Sequence, residues 1–263
     1  MSCLITLDNG GVITLAACPA LAIVITGAPA WLKPTKFAVS TAIYAFTLAW
    51  LFTWIPDWTR TRRLVGIGTA VVMLVEVGII DLQAWRGTTS HFNVGTPLDA
   101  ILFSIMGAAI FSQTAASGLV AYAFWRARFA DRAMGWALRL GMTLTIAGAL
   151  TGALMTRPTA AQMDQVRTTH QMPVVGAHTV GAPDGGPGLP GVGWSTVAGD
   201  LRVPHFVGLH AMQVLPLFAW IIRRRPDATR VRLLLAGSAA YAVVFGGLLL
   251  LALRGVPLTA LVS

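Results

Sequence analysis

The chain has 263 residues, 56% of them hydrophobic and only 11% charged, and its 19 Lys and Arg against 10 Asp and Glu give a net charge of +9. With a mean hydropathy of +0.70 it stands apart from soluble domains and among polytopic membrane proteins. The arginines fall in short clusters between apolar runs rather than along one polar face, so the charge reads as a topogenic signal, and a nucleic-acid partner is excluded.

Seven runs reach the roughly 20 apolar residues that a transmembrane helix needs: 11–32, 37–55, 64–85, 97–125, 134–155, 203–222 and 233–253. The expected fold is therefore all-α, a polytopic membrane helix bundle forming one integral membrane domain over 1–263. The first run is the least regular, because it holds Pro19 and Pro29. Leu15-Ala16-Ala17-Cys18 has the look of a lipoprotein cleavage box, but no Lys/Arg-rich stretch precedes it and Asp8 interrupts the apolar core, so processing is not expected. Cys3 and Cys18 give no disulfide framework.

Arg60, Arg62 and Arg63, then Arg126, Arg128 and Arg132, then Arg223, Arg224, Arg225, Arg230 and Arg232 occupy alternate connections. The positive-inside rule makes these cytoplasmic, with the N-terminus inside and the C-terminus outside. Trp54, Trp58, Trp125, Trp136 and Trp220 then mark the inner interface, and Trp31, Trp85 and Trp194 the outer.

On the third run Glu76 lies about 12 Å from the outer end at 1.5 Å per residue, with Asp81 shallower and Gln83 on the face of Glu76. His91 and Asn93 precede the fourth run, and Asp99 opens it. Residues 157–204, between the fifth and sixth runs, are too polar and too rich in Gly and Pro for a bilayer. Val174, Val175, Val180, Leu189, Val192 and Trp194 are spaced through the turns, which predicts an ordered external cap rather than disorder. On the sixth run His205 sits near the outer interface and His210 about 10 Å deep, with Gln213 on the face of His210. All 5 histidines lie in this outer half.

Ionisable groups inside spans are costly and mark functional positions. Two polar layers are expected under the cap: Asp81, His91, Asp99 and His205 shallow, Glu76, His210 and Gln213 deeper. The plain structural alternatives are solvated or capping roles for Asp81, Asp99 and His205, and an interhelical hydrogen bond between Glu76 and His210. Functionally, the pattern points to haem or a transition metal in a redox role. For haem the ligands are His91 with His205 or His210, and Glu76 and Gln213 orient them; for a non-haem metal Asp81 and Asp99 join the histidines. His178 and Arg202 are the loop candidates. Such a site implies a membrane oxidoreductase component, with a quinone or a periplasmic redox protein as partner. One alternative is a proton-linked transporter or small-ligand sensor in which Arg157 and Arg202 attract an anion to the mouth. Another is a structural subunit of a membrane complex. A retinal protein is excluded, because the only lysines are Lys33 and Lys36.

His91-Phe92-Asn93, the stretch from Gly176-Ala177-His178-Thr179-Val180-Gly181 to Leu189-Pro190, and Asp200-Leu201-Arg202-Val203-Pro204-His205-Phe206-Val207-Gly208-Leu209-His210 together resemble a group of uncharacterised bacterial multi-pass inner-membrane proteins. The resemblance spans the outer half of the chain. It implies a bacterial inner-membrane location and brings no activity and no residue roles.

Overall fold

A computed structural model describes residues 5–7, 13–15, 24–25 and 28–261. Much of the expected first span, 11–32, lies outside the described residues, as do Cys3, Asp8 and Cys18. Within it residues 13–15, 24–25 and 28–29 are extended and Leu32 already begins a helix: β2 (Ile13–Leu15) pairs antiparallel with the preceding β1 (Ile5–Leu7), and β3 (Val24–Ile25) with β4 (Ala28–Pro29). Among the described residues, five helices are long and apolar enough to cross a membrane, and one bent pair makes a sixth.

α1 (Leu32–Phe52) carries Pro34 in its first turn, where a missing N–H costs nothing. α2 (Thr59–Trp85) follows. α3 (Pro97–Arg126) starts on Thr96, whose hydroxyl accepts the Asp99 N–H at 3.2 Å and donates to the Asp99 carboxylate at 2.6 Å. Proline at the first helical position adds a preset φ to that cap. α4 (Arg132–Met155) is capped by Asp131, which accepts the Met134 N–H at 3.0 Å. Asp131 also pairs with Arg230, and Arg132 with Asp227, fastening the start of α4 to the start of α8 (Asp227–Leu253).

α6 (Arg202–Leu209) and α7 (Ala211–Ile221) take the place expected for one span over 203–222, and they meet at a 45° bend. One stripe of α4 seats this broken helix. A Cβ on Gly141 would lie 2.9 Å from the Ala211 carbonyl oxygen, and one on Gly148 would lie 2.5 Å from the Gly208 backbone. Between these glycines, Thr145 places its hydroxyl in the break, accepting the Met212 N–H at 3.0 Å and donating to the Leu209 carbonyl at 3.3 Å. The Tyr241 hydroxyl of α8 donates to the Val207 carbonyl at 2.5 Å. Non-helical backbone at membrane depth persists where side chains take over the freed groups.

The main apolar core fills the arginine-rich half, where Leu51, Val120, Phe124, Leu138, Met142, Met212, Leu215 and Leu234 pack together. The periphery is apolar too: Phe46 is 79% exposed, Leu74 76%, Phe111 75% and Val243 74%. Side chains of this size turned outward on several helices form the surface that lipid covers.

Residues 157–204 fold into a compact lid. α5 (Ala160–Thr169) has a reciprocal capping box between Thr159 and Gln162, and β5 (Thr179–Val180) pairs with β6 (Gly199–Asp200). The lid is stitched to the loop before α3 by Val94 N–H to Pro173 O at 2.9 Å and Val175 N–H to Phe92 O at 2.8 Å. At Gly176 the backbone has φ +96° and a Cβ would lie 2.2 Å from the Met155 carbonyl oxygen, so glycine lets the lid lie directly on the end of α4.

Candidate functional site

Lys33, one residue into α1, reaches under the lid and donates to Nδ1 of His91 at 3.1 Å. An ammonium group can only donate, so this nitrogen accepts and the proton of His91 sits on Nε2. Ser90 Oγ lies 3.1 Å from the same nitrogen. Phe37 of α1 and Phe92 flank the ring, at 5.7 and 6.2 Å between centroids. Phe92 holds φ +64°, a left-handed backbone that non-glycine residues seldom adopt. The turn thereby presents His91 on one side and packs the Phe92 ring 4.8 Å from His178 on the other.

His178 is fixed by Asp184. The carboxylate accepts the His178 N–H, the Thr179 N–H and, at 2.8 Å, the Nδ1–H of the His178 ring. His205 of α6 donates Nδ1–H to the Gly148 carbonyl at 2.8 Å, and its ring would contact any side chain at position 152. At the break His210 stacks on Phe206, centroids 4.0 Å apart, and donates Nδ1–H to the Phe206 carbonyl at 2.7 Å. A carbonyl oxygen only accepts, so Nδ1 carries a proton in both imidazoles and, in a neutral ring, Nε2 is the lone pair. His178 and His210 both lie within electrostatic reach of His205.

Glu76 stands beneath these groups on α2, 2% exposed, and among the described residues neither carboxyl oxygen has a hydrogen-bond partner. Lys33 is its electrostatic neighbour, although the lysine spends its hydrogen bond on His91. The expected bond between Glu76 and His210 is not formed. Gln213 donates to Thr47 of α1 at 3.2 Å and leaves its own oxygen buried without a partner.

The remaining candidates serve the scaffold. Asp99 accepts from Gln83 at 2.8 Å and Arg86 at 2.6 Å as well as from Thr96, closing the outer ends of α2 and α3. Arg202 is not free to attract anions at the mouth: it closes on Asp200 through Nε and Nη2 and donates to the Gly193 carbonyl at 2.6 Å. Asp81 takes part in none of these contacts. Among the described residues no three His, Cys, Asp or Glu side chains come together as a metal site, so His91, His205, His210, Asp81 and Asp99 do not converge. Lys33 and Asp184 were missed as functional candidates. Lys33 carried a signal in being one of only two lysines, set at the start of a span.

The lid contacts set a pH dependence. Burial, then the charges of Lys33 and His178, hold the His91 imidazole well below its usual range. The unfolded chain gains this proton near pH 6.5 and the folded chain does not, so stability falls as the pH drops below about 6.5. Burial pushes the Asp184 carboxyl up, but its hydrogen bonds from His178 and Thr179 and the His178 charge outweigh that and hold it well below the carboxylate range. Its contribution is present above about pH 4 and lost on further acidification. The melting midpoint is therefore expected to fall between pH 7 and pH 5 (roughly the His titration range), and less steeply in His91→Asn, whose Oδ1 can still accept from Lys33. Identical slopes for the two proteins in a fluorescence melt would contradict this.

Comparisons with protein-family models, curated proteins and solved structures return no match to the chain.

Proposed function

We propose that the protein resides in the bacterial inner membrane and binds a small polar ligand under the lid through Lys33, Glu76 and His91, with Glu76 exchanging a proton as the ligand enters and leaves. Glu76 carries this reading. Roughly 90% or more of buried polar groups in folded proteins find a partner, and an ionisable group inside a membrane bundle is costly to keep. A buried carboxyl whose two oxygens find no donor among the described residues is available to a ligand. Lys33 supplies a donor beside it and ties the pair to His91 in the loop before α3. The ligand this set suits has a donor for Glu76, an acceptor for Lys33 and an apolar portion for Phe37 and Phe92. A quinone and its quinol offer that chemistry, and the bilayer delivers them.

The arginine-rich ends of the helices face the cytoplasm in this proposal and the lid faces outward.

His205 and His210 support a second reading. Both donate Nδ1–H to a carbonyl and keep Nε2 as a lone pair, as ligating imidazoles do. Haem held there would make the protein an electron-transfer component.

One preparation tests both. Protein extracted in mild detergent is expected to carry a stoichiometric small molecule, visible by mass spectrometry, that is lost from Lys33→Met and Glu76→Met, and to show no Soret band. A Soret band abolished by His205→Ala would establish the second reading instead. A preparation with neither feature would defeat both.

A further inference from the structure

At the opposite end of the molecule, Phe52 of α1 and Thr59, Arg62, Arg63, Gly66 and Ile67 of α2 line an open groove of about 390 Å³. It is polar at one end and apolar at the other. Arg62 donates one Nη1–H to the Pro56 carbonyl at 3.1 Å, while its Nε is buried without a partner. Among the described residues no carboxylate forms an ion pair with Arg60, Arg62 or Arg63; the pairs at this end are Arg132 with Asp227 and Arg230 with Asp131. Two guanidinium groups without an ion-pair partner among the described residues thus line a groove that they share with Phe52 and the outward-turned Ile67. Gly66 leaves the Phe52 ring bare on this side: a Cβ there would be in van der Waals contact with it at 3.5 Å, and a larger side chain would fill the groove.

We infer that this groove is a binding site for one anionic phospholipid, its phosphodiester held by Arg62 and Arg63 and the head of an acyl chain lying along Phe52, Gly66 and Ile67. Charge complementarity selects the occupant: guanidinium groups pair bidentately with phosphate oxygens, and basic pockets between helix ends at the cytoplasmic interface suit anionic head groups. The groove is separate from the site under the lid and does not depend on the function proposed there. Trp54 and Trp58 in the adjoining turn have the amphipathic character of residues at this level of a bilayer.

Native mass spectrometry of the purified full chain, given dioleoylphosphatidylglycerol or dioleoylphosphatidylcholine in detergent, provides the test. The wild type is expected to retain one phosphatidylglycerol in preference to phosphatidylcholine. Each of Arg62→Gln and Arg63→Gln should lower that preference about fivefold. Gly66→Leu should lower it without any change of charge. Arg60→Gln, which removes the same charge outside the groove, should leave it intact, and inorganic phosphate should not displace the lipid. A melting curve for each variant identifies any that fails to fold. Equal retention of the two lipids, an Arg60→Gln loss as large as that of Arg62→Gln, or displacement by phosphate alone would overturn the assignment.

Discussion

Glu76→Met is expected to raise the stability of the protein by about 1–3 kcal/mol, the cost of a buried polar group left without a partner, while abolishing binding under the lid. Methionine is unbranched and close to glutamate in volume, so it fills the place between helices without a cavity. Lys33 keeps its hydrogen bond to His91. The sign of the change is what matters. If Glu76 and Lys33 served as a structural ion pair, removing one partner would strand the other and cost about 3–5 kcal/mol. Denaturant titration of wild type and variant in the same micelles distinguishes the two, and a loss of stability on that scale would end the ligand-binding role given to Glu76. A gain in stability with loss of function is the trade expected where a site keeps a group the fold would rather lack.

Asp99→Ala should do the reverse, lowering stability by about 3 kcal/mol or more. Asp99 is 4% exposed and holds Gln83, Arg86 and Thr96 at the junction of α2 and α3. Without it the Arg86 guanidinium keeps only Gln83 Oε1, and the fully buried Gln83 amide only the distant Thr89 carbonyl at 3.4 Å. Asp99→Asn keeps one oxygen, enough for Gln83 and Arg86 with the amide nitrogen turned to the Thr96 hydroxyl, and should recover part of the loss. A loss below about 1 kcal/mol in Asp99→Ala would mark the group as solvated, since exposed pairs contribute no more than that.

Several helix limits were legible because local chemistry sets them. α2 ends at Trp85, α3 begins at Pro97, α4 ends at Met155 and α8 ends at Leu253, each where hydropathy falls away or a proline starts the next element. The break at His210 was not legible. Residues 203–222 are apolar apart from His205, His210 and Gln213, and the Thr145 hydroxyl that takes up the freed backbone groups lies 64 residues away from Leu209. The same distance effect hid Lys33, which meets His91 across 58 residues. The placing of His91, His178, His205 and His210 toward one end followed from span counting. Their division into tethered imidazoles depended on carbonyls that only folding brings close, Gly148 for His205 above all.

The dependence of the α6–α7 bend on other helices has a consequence for how the chain is put together during synthesis. Thr145 lies on α4 and is made before the bent pair, so the hydroxyl that receives Met212 and Leu209 is already in place when those residues enter the bilayer. Tyr241 lies on the last helix and adds its bond to Val207 afterwards. The bend is thus templated by an earlier helix and locked by a later one. A nascent chain stopped short of α8 would hold His205 and His210 in a span still able to straighten.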